Sequence, residues 1–144
     1  MILGLQHIDP QRIAAIDSNG AELRYVEISH LSQHIASLIP TRSLCFLLVE
    51  NNIGGMVWVM SMLDSRQLVP LILNVKTEDT LYQQLLDTYH PTYICAPNHF
   101  AVQGEVVDSQ YEYTLTKVTD STPALHSELS HLLPTSGSTG SPKL

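Results

Sequence analysis

Three apolar runs, Leu44–Val49, Leu68–Leu73 and Thr92–Ala96, alternate with stretches whose apolar side chains recur at helical spacing. A strand with one wet face alternates polar and apolar residues, whereas a strand covered on both faces is apolar throughout. Strand, helix, strand, helix, strand in that order needs crossover connections, and so right-handed βαβ units. The predicted fold class is α/β, a parallel βαβ sheet layered with helices. Asn51 or Asn52 is a candidate cap for a helix running to about Arg66. Met56, Trp58, Met60 and Met62 give that helix a broad apolar surface, expected in the core rather than around a cofactor. Thr77 is a candidate cap for the next helix, to His90, with Leu81, Leu85, Leu86 and Tyr89 inward and Pro91 closing it. Pro70 predicts a strand end or bulge, because proline cannot donate to a ladder.

The flanks are less regular. Ala14–Asp17 and Glu22–Tyr25 surround Ser18-Asn19-Gly20, and Asn-Gly supplies the positive φ angles of a tight hairpin. Ile28, Leu31, Ile35, Leu38 and Ile39 then mark an amphipathic helix ending near Pro40. His30 and His34 stand four apart on it, but no third ligand is evident and zinc takes three or four, so a solvated helix face is expected. Beyond Pro97, His99–Val102 has no clear period, Gly104–Gln110 reads as loop, and Tyr111–Val118 alternates like an edge strand. Thr119–Pro123 reads as a turn, and Leu125–Leu133 leads into a stretch rich in glycine and hydroxyls. The pattern leaves open whether Leu129–Leu133 is a strand.

Composition narrows the function classes. A chain of 144 residues buries about two-thirds of its unfolded surface, enough for one modest domain. Hydrophobic residues make up 44% and charged ones 15%, which suits a globular chain with some apolar surface set against another part of a larger protein. Seven Lys plus Arg against fourteen Asp plus Glu give a net charge of -7; with no basic run, nucleic acid is not an expected partner. Cys45 and Cys95 lie in apolar runs, where a buried thiol is the ordinary role. Met1–Pro10 has neither the basic segment nor the apolar core of a signal peptide, so a cytoplasmic setting is expected. The longest apolar stretch, Ile53–Leu63, falls well short of the ~20 residues of a spanning helix, and no membrane span is expected.

Residues Thr135–Lys143 read Thr-Ser-Gly-Ser-Thr-Gly-Ser-Pro-Lys. Gly137 and Gly140 let the backbone curl and bring N–H groups close to an anion, because no Cβ blocks the approach. Thr135, Ser136, Ser138 and Thr139 add hydroxyl donors, and Lys143 adds a mobile positive charge suited to phosphate. The candidate binding residues are thus Thr135, Ser136, Gly137, Ser138, Thr139, Gly140 and Lys143, with a nucleoside triphosphate as the fitting ligand. The spacing is not that of a Walker A loop, and no Gly-x-Gly-x-x-Gly follows an early strand as a dinucleotide fold requires.

This stretch resembles the phosphate loop of the AMP-forming adenylating enzymes, the superfamily of acyl-CoA synthetases, luciferases and peptide-synthetase adenylation domains, whose pattern is Ser/Thr-Ser-Gly-Ser/Thr-Thr-Gly-x-Pro-Lys. The resemblance extends to Arg24-Tyr25-Val26-Glu27-Ile28 at a helix start and Val69-Pro70-Leu71 at a proline-containing step. Arg24 stands where the family has threonine, which forfeits a hydroxyl cap worth about 1 kcal/mol, and Ser65-Arg66-Gln67 lacks the family's glycine. The resemblance implies that residues 1–144 are the N-terminal part of the large domain of such an enzyme, with 135–143 as its phosphate loop. It also implies ATP and Mg²⁺, a carboxylic acid, and a thiol acceptor on CoA or a carrier protein as the parent's ligands, and the remainder of the parent chain as partner. The loop would orient the β- and γ-phosphates, with Ser136, Ser138, Thr139 and Lys143 in direct contact, and help neutralise the departing pyrophosphate. No catalytic or metal-ligating residue is assigned. The family's Tyr-Gly-x-Thr-Glu motif, ribose-binding aspartate and C-terminal catalytic lysine are not among these residues, so these 144 residues are expected to be inactive alone. Two readings remain, a fragment of an acid-thiol ligase cut just after its loop, or a catalytically inactive standalone binding or assembly module of the same fold; an immediate stop codon after Leu144 favours the second.

Overall fold

The computed structural model describes residues 4–120 and 124–134. Residues 135–143, expected to form a phosphate loop, and most of the turn expected at 119–123 lie outside them.

The chain opens with an antiparallel hairpin of β1 (Ile13–Ile16) and β2 (Glu22–Arg24). Asp17 Oδ1 accepts from the N–H groups of Asn19 and Ala21, both at 2.9 Å. Only Gly20 in this connection takes a positive φ, 83°, so the expected Asn-Gly turn is instead a longer loop braced by an aspartate. Helix α1 (Tyr25–Leu38) follows at once. Its lost hydroxyl cap is partly replaced by the Glu27 carboxylate, which accepts from the Arg24 N–H at 2.7 Å.

The three apolar runs form β3 (Ser43–Val49), β4 (Leu68–Asn74) and β5 (Tyr93–Pro97), joined through α2 (Ile53–Ser65) and α3 (Asp79–Tyr89). Both neighbours of β3 run parallel to it, as the βαβ pattern predicts. The sheet also carries two further strands. Glu105–Gln110, expected as loop, is strand β6, while the strand expected over Tyr111–Val118 is β7 (Tyr113–Lys117), which is not an edge but pairs antiparallel with both β5 and β6. The order β4-β3-β5-β7-β6 puts β7 inside the sheet and β6 at its edge.

Alternation along β3 explains its apolar run. Cys45 and Leu47 face one core with Ile28, Leu31 and Ile35 of α1 and Val57, Trp58 and Met62 of α2. Leu44, Phe46 and Leu48 face the other, against Leu85 of α3 and its partly buried neighbours Leu81, Tyr82 and Leu86. Each such Leu or Phe contributes roughly 1.5–3 kcal/mol of burial. Tyr82 bridges this second core, its ring 6.5 Å from Phe46 and edge-on at 5.8 Å to Phe100. Cys45 and Cys95 are free and buried, and burial pushes both thiols above their ordinary range.

Several local expectations are corrected. Pro70 sits within β4 in unbroken register; its carbonyl, and so its missing N–H, faces the outer side, where Leu132 N–H donates to Pro70 O at 2.8 Å. Proline is tolerated there because the ladder to β3 needs nothing from its nitrogen. Thr77 is not the α3 cap, a position held by Glu78; its hydroxyl donates to Asn74 O at 2.6 Å and closes the preceding turn. Of the four large side chains expected in the core from α2, Trp58 and Met62 are fully buried, Met60 is half-buried and Met56 is 47% exposed. Among the described residues no helix is long and apolar enough to cross a membrane.

Candidate functional site

The seven sequence-predicted binding residues, Thr135, Ser136, Gly137, Ser138, Thr139, Gly140 and Lys143, lie outside the described residues. Their approach does not. Leu132 forms a parallel bridge to Leu71 on the free side of β4, donating to Pro70 O at 2.8 Å and accepting from the Ile72 N–H at 3.0 Å. Leu129–Leu133 is therefore one bridge long rather than a full strand. Because the bridge is parallel, the chain here heads toward the carboxyl ends of β3, β4 and β5, where open α/β sheets bind ligands.

Two arginines hold this approach, and sequence reasoning missed both. Arg42 donates through Nη1 to His126 O at 2.9 Å and through Nη2 to Leu129 O. Arg66 Nη2 donates to Ser127 O at 2.8 Å. A guanidinium suits this role because its forked donors reach several carbonyls at once. Burial, then the neighbouring Arg66 charge, lowers the Arg42 pKa.

The same carboxyl edge holds a crevice of about 270 Å³. Helix α2 leaves β3 for one face of the sheet, while the chain after β5 packs Phe100 and Val102 onto the other. Divergence of the exits from two adjacent parallel strands is a topological switch point. Glu50 and Asn52 come from the β3 exit, Asn98 and His99 from the β5 exit, and Glu112 and Tyr113 from the β6–β7 hairpin. The buried Tyr113 hydroxyl accepts from the Glu50 N–H at 2.9 Å and donates to Asn52 Oδ1 at 3.0 Å. Asn52 Oδ1 also caps α2, accepting from the Gly55 N–H at 2.9 Å. His99 Nε2 lies 2.6 Å from Glu50 Oε1, and Asn98 Oδ1 accepts from the Thr114 hydroxyl at 2.6 Å.

This edge is tightly built. Tyr111 and Glu112 turn the hairpin with φ of 55° and 64°, each conformation costing about 1–3 kcal/mol in a residue with a side chain. The turn is fixed by Trp58 Nε1 donating to Gln110 O at 3.1 Å, Tyr111 OH donating to Glu27 Oε1 at 3.1 Å, and Asn98 N–H donating to Glu112 O at 2.9 Å. Glycine is required at 54, where a Cβ would stand 2.6 Å from Tyr111 O.

A second cavity, of about 360 Å³, lies between α1 and this hairpin, lined by Glu27, His30, His34, Gln110 and Tyr111. His34 is not simply solvated: its Nε2 stands 3.2 Å from Asp108 Oδ2. That oxygen is enclosed and makes no aligned hydrogen bond among the described residues. No three His, Cys, Asp or Glu side chains converge on a metal position among the described residues, and His30 with His34 does not make one.

Neither a scan against protein-family models nor a search of curated proteins finds a match. Solved structures do match. The N-terminal subdomain of NpsA from Klebsiella oxytoca superposes with a TM-score of 0.65 at 17% identity, over 96% of this chain and 38% of that one. The same subdomain in complex with 3-hydroxybenzoyl-AMSN gives 0.63 at 17%, over 96% and 37%. A variant of E. coli MenE with bound OSB-AMS gives 0.63 at 17%, over 96% and 31%. The chain therefore spans well under half the length of the proteins it matches. At such identity the likeness speaks for fold alone, and the fold of this chain is that of part of the NpsA N-terminal subdomain and of part of MenE.

Proposed function

We propose that this chain is the N-terminal portion of an AMP-forming acid-thiol ligase, whose complete protein activates a carboxylic acid as acyl-adenylate and passes it to a thiol of CoA or a carrier protein in the cytoplasm. Fold alone does not assign chemistry. The observation that carries the reading is the sequence Thr135–Lys143, in which hydroxyls, two glycines, a proline and a lysine occupy every defined position of the adenylating-enzyme phosphate loop. Two further observations support it. The preceding segment runs parallel to β4 toward the carboxyl edge of the sheet, and structures of the same fold hold acyl-AMSN and OSB-AMS ligands.

ATP enters as substrate. Thr135, Ser136, Ser138 and Thr139 would donate to its β- and γ-phosphate oxygens, the backbone at Gly137 and Gly140 would close round them, and Lys143 would offset the charge that builds on the departing pyrophosphate. Mg²⁺ would accompany ATP as counterion to its phosphates, with no residue assigned to it. Residues 1–144 alone lack the family's adenine and acid sites, so loop contacts must offset the full cost of ordering the chain around the ligand.

Pyrophosphate exchange into ATP, measured over a panel of carboxylic acids, tests the reading. Acid-dependent exchange is expected from the complete protein that carries this sequence. From residues 1–144, no exchange and a millimolar or weaker calorimetric affinity for Mg-ATP are expected. Exchange or tight binding by the 144 residues alone, or no exchange by the complete protein with any acid, would count against it.

A further inference from the structure

Arg42, just before β3, and Arg66, just after α2, spend their guanidiniums on backbone carbonyls. Arg42 Nε donates to Arg66 O at 3.1 Å, its Nη1 to His126 O at 2.9 Å and its Nη2 to Leu129 O, while Arg66 Nη2 donates to Ser127 O at 2.8 Å. We propose, resting on the ligase reading above, that Arg42 and Arg66 are positioning residues for the nucleotide step. By clasping residues 126–129 they set where the chain leaves the sheet for Thr135–Lys143, and so how firmly ATP is held.

Three observations of different kinds meet here. The first is backbone strain. Arg66 ends α2 in the left-handed conformation, φ 59° and ψ 2°, which glycine adopts at least cost. Ser65-Arg66-Gln67 holds no glycine, and strain kept at one residue points to a use for that residue. The side chain retained there reaches Ser127, 61 positions along the chain.

The second is the pairing of like charges. Arg42 and Arg66 stand close enough for one charge to act on the other, an unfavourable arrangement that their carbonyl partners offset through geometry. A forked guanidinium fixes a turn at several points, where a lysine would reach one. The third is the path of the segment itself. Leu125, Leu129 and Leu132 pack on the second core only partly buried, and Leu132 alone pairs with β4 among the described residues. The clasp adds holds at His126, Ser127 and Leu129. Thr135 follows Leu132 by three residues, a reach of at most about 10 Å. A start point fixed so close leaves less ordering for the ligand to induce.

Pyrophosphate exchange by the complete protein that carries this sequence, resolved into KM for ATP, KM for the acid and kcat, tests the role. Arg42→Ala is expected to raise KM for ATP about tenfold, the scale of two lost hydrogen bonds to the segment, and Arg66→Gly about threefold, the scale of one. KM for the acid is expected to stay unchanged in both. Arg66→Gly also relieves the left-handed strain, so its melting temperature is expected to be unchanged or higher, which separates positioning from folding. Arg42→Lys keeps the charge and loses the fork, and is expected to match Arg42→Ala. Amide hydrogen exchange is expected to quicken at Leu129 and Leu132 in Arg42→Ala and to stay the same at Leu47 and Ile94. Unchanged KM for ATP in both Arg42→Ala and Arg66→Gly, an equal rise of the two KM values, full activity in Arg42→Lys, or unaltered amide protection at Leu129 and Leu132 would overturn the clasp and leave the ligase reading standing. No acid-dependent exchange by the unaltered protein would remove the ligase reading, and this role with it.

Discussion

Tyr111 holds a left-handed backbone, at φ 55°, because its hydroxyl is tied to Glu27 at 3.1 Å. The tie has a consequence at alkaline pH. Burial first, then the Glu27 charge and hydrogen bond, pushes the Tyr111 phenol from 10.0 up to about 12. A group whose folded pKa is raised keeps its stabilising contribution below its unfolded pKa and loses it as pH climbs through the folded one. Burial pushes Tyr82, Tyr93 and Tyr113 the same way. Urea denaturation is thus expected to show stability falling between pH about 10 and about 12. In Tyr111→Phe that fall is expected to be shallower, at a cost of about 1 kcal/mol at neutral pH for the lost hydrogen bond. An identical alkaline slope in the variant would show that Tyr111 does not titrate in this window.

Helix α2 shows how far residue types alone locate a core. Its residues are apolar nearly all round, a composition that marks a buried helix, yet α1 and the sheet cover only one side of it. Trp58 and Met62 lie on the covered side, fully buried, while Met56 is 47% exposed. Trp58→Ala is expected to cost about 3–5 kcal/mol, whereas Met56→Ala is expected to change stability by no more than about 0.5 kcal/mol. Thermal and urea unfolding measure both, and similar losses would contradict the sidedness. The pattern of the sequence could show that α2 is apolar but not which side its neighbours occupy. The parallel strands were legible because two-sided burial leaves unbroken apolar runs. Strand β6 was not, since Glu-Val-Val-Asp-Ser-Gln lies largely exposed at an edge and is a strand only because β7 pairs with it. Pro70 misled for a related reason: its consequence depends on which side of the strand faces a partner, and sequence does not record sides.

At the scale of the molecule, one mixed five-stranded sheet with a core on each face directs the exits of its three parallel strands and the segment before Thr135 toward the same edge. A phosphate loop was legible as an expectation because its residues sit in one contiguous stretch, Thr135–Lys143, which lies outside the described residues. The crevice was not, because Glu50, Asn98 and Glu112 lie on three separate segments that only topology joins. Arg42 and Arg66 escaped notice likewise, their partners being backbone carbonyls far along the chain. The central claim is that Lys143 serves nucleotide phosphates in an adenylating enzyme, and the most direct measurement is acid-dependent exchange of pyrophosphate into ATP by the complete protein and two variants. Lys143→Ala is expected to slow exchange by about 10²-fold, the scale of losing one preorganised charge on a developing anion, while Lys76→Ala, in the exposed connection after β4, leaves it unchanged. Equal exchange rates in Lys143→Ala and the unaltered protein would contradict the account.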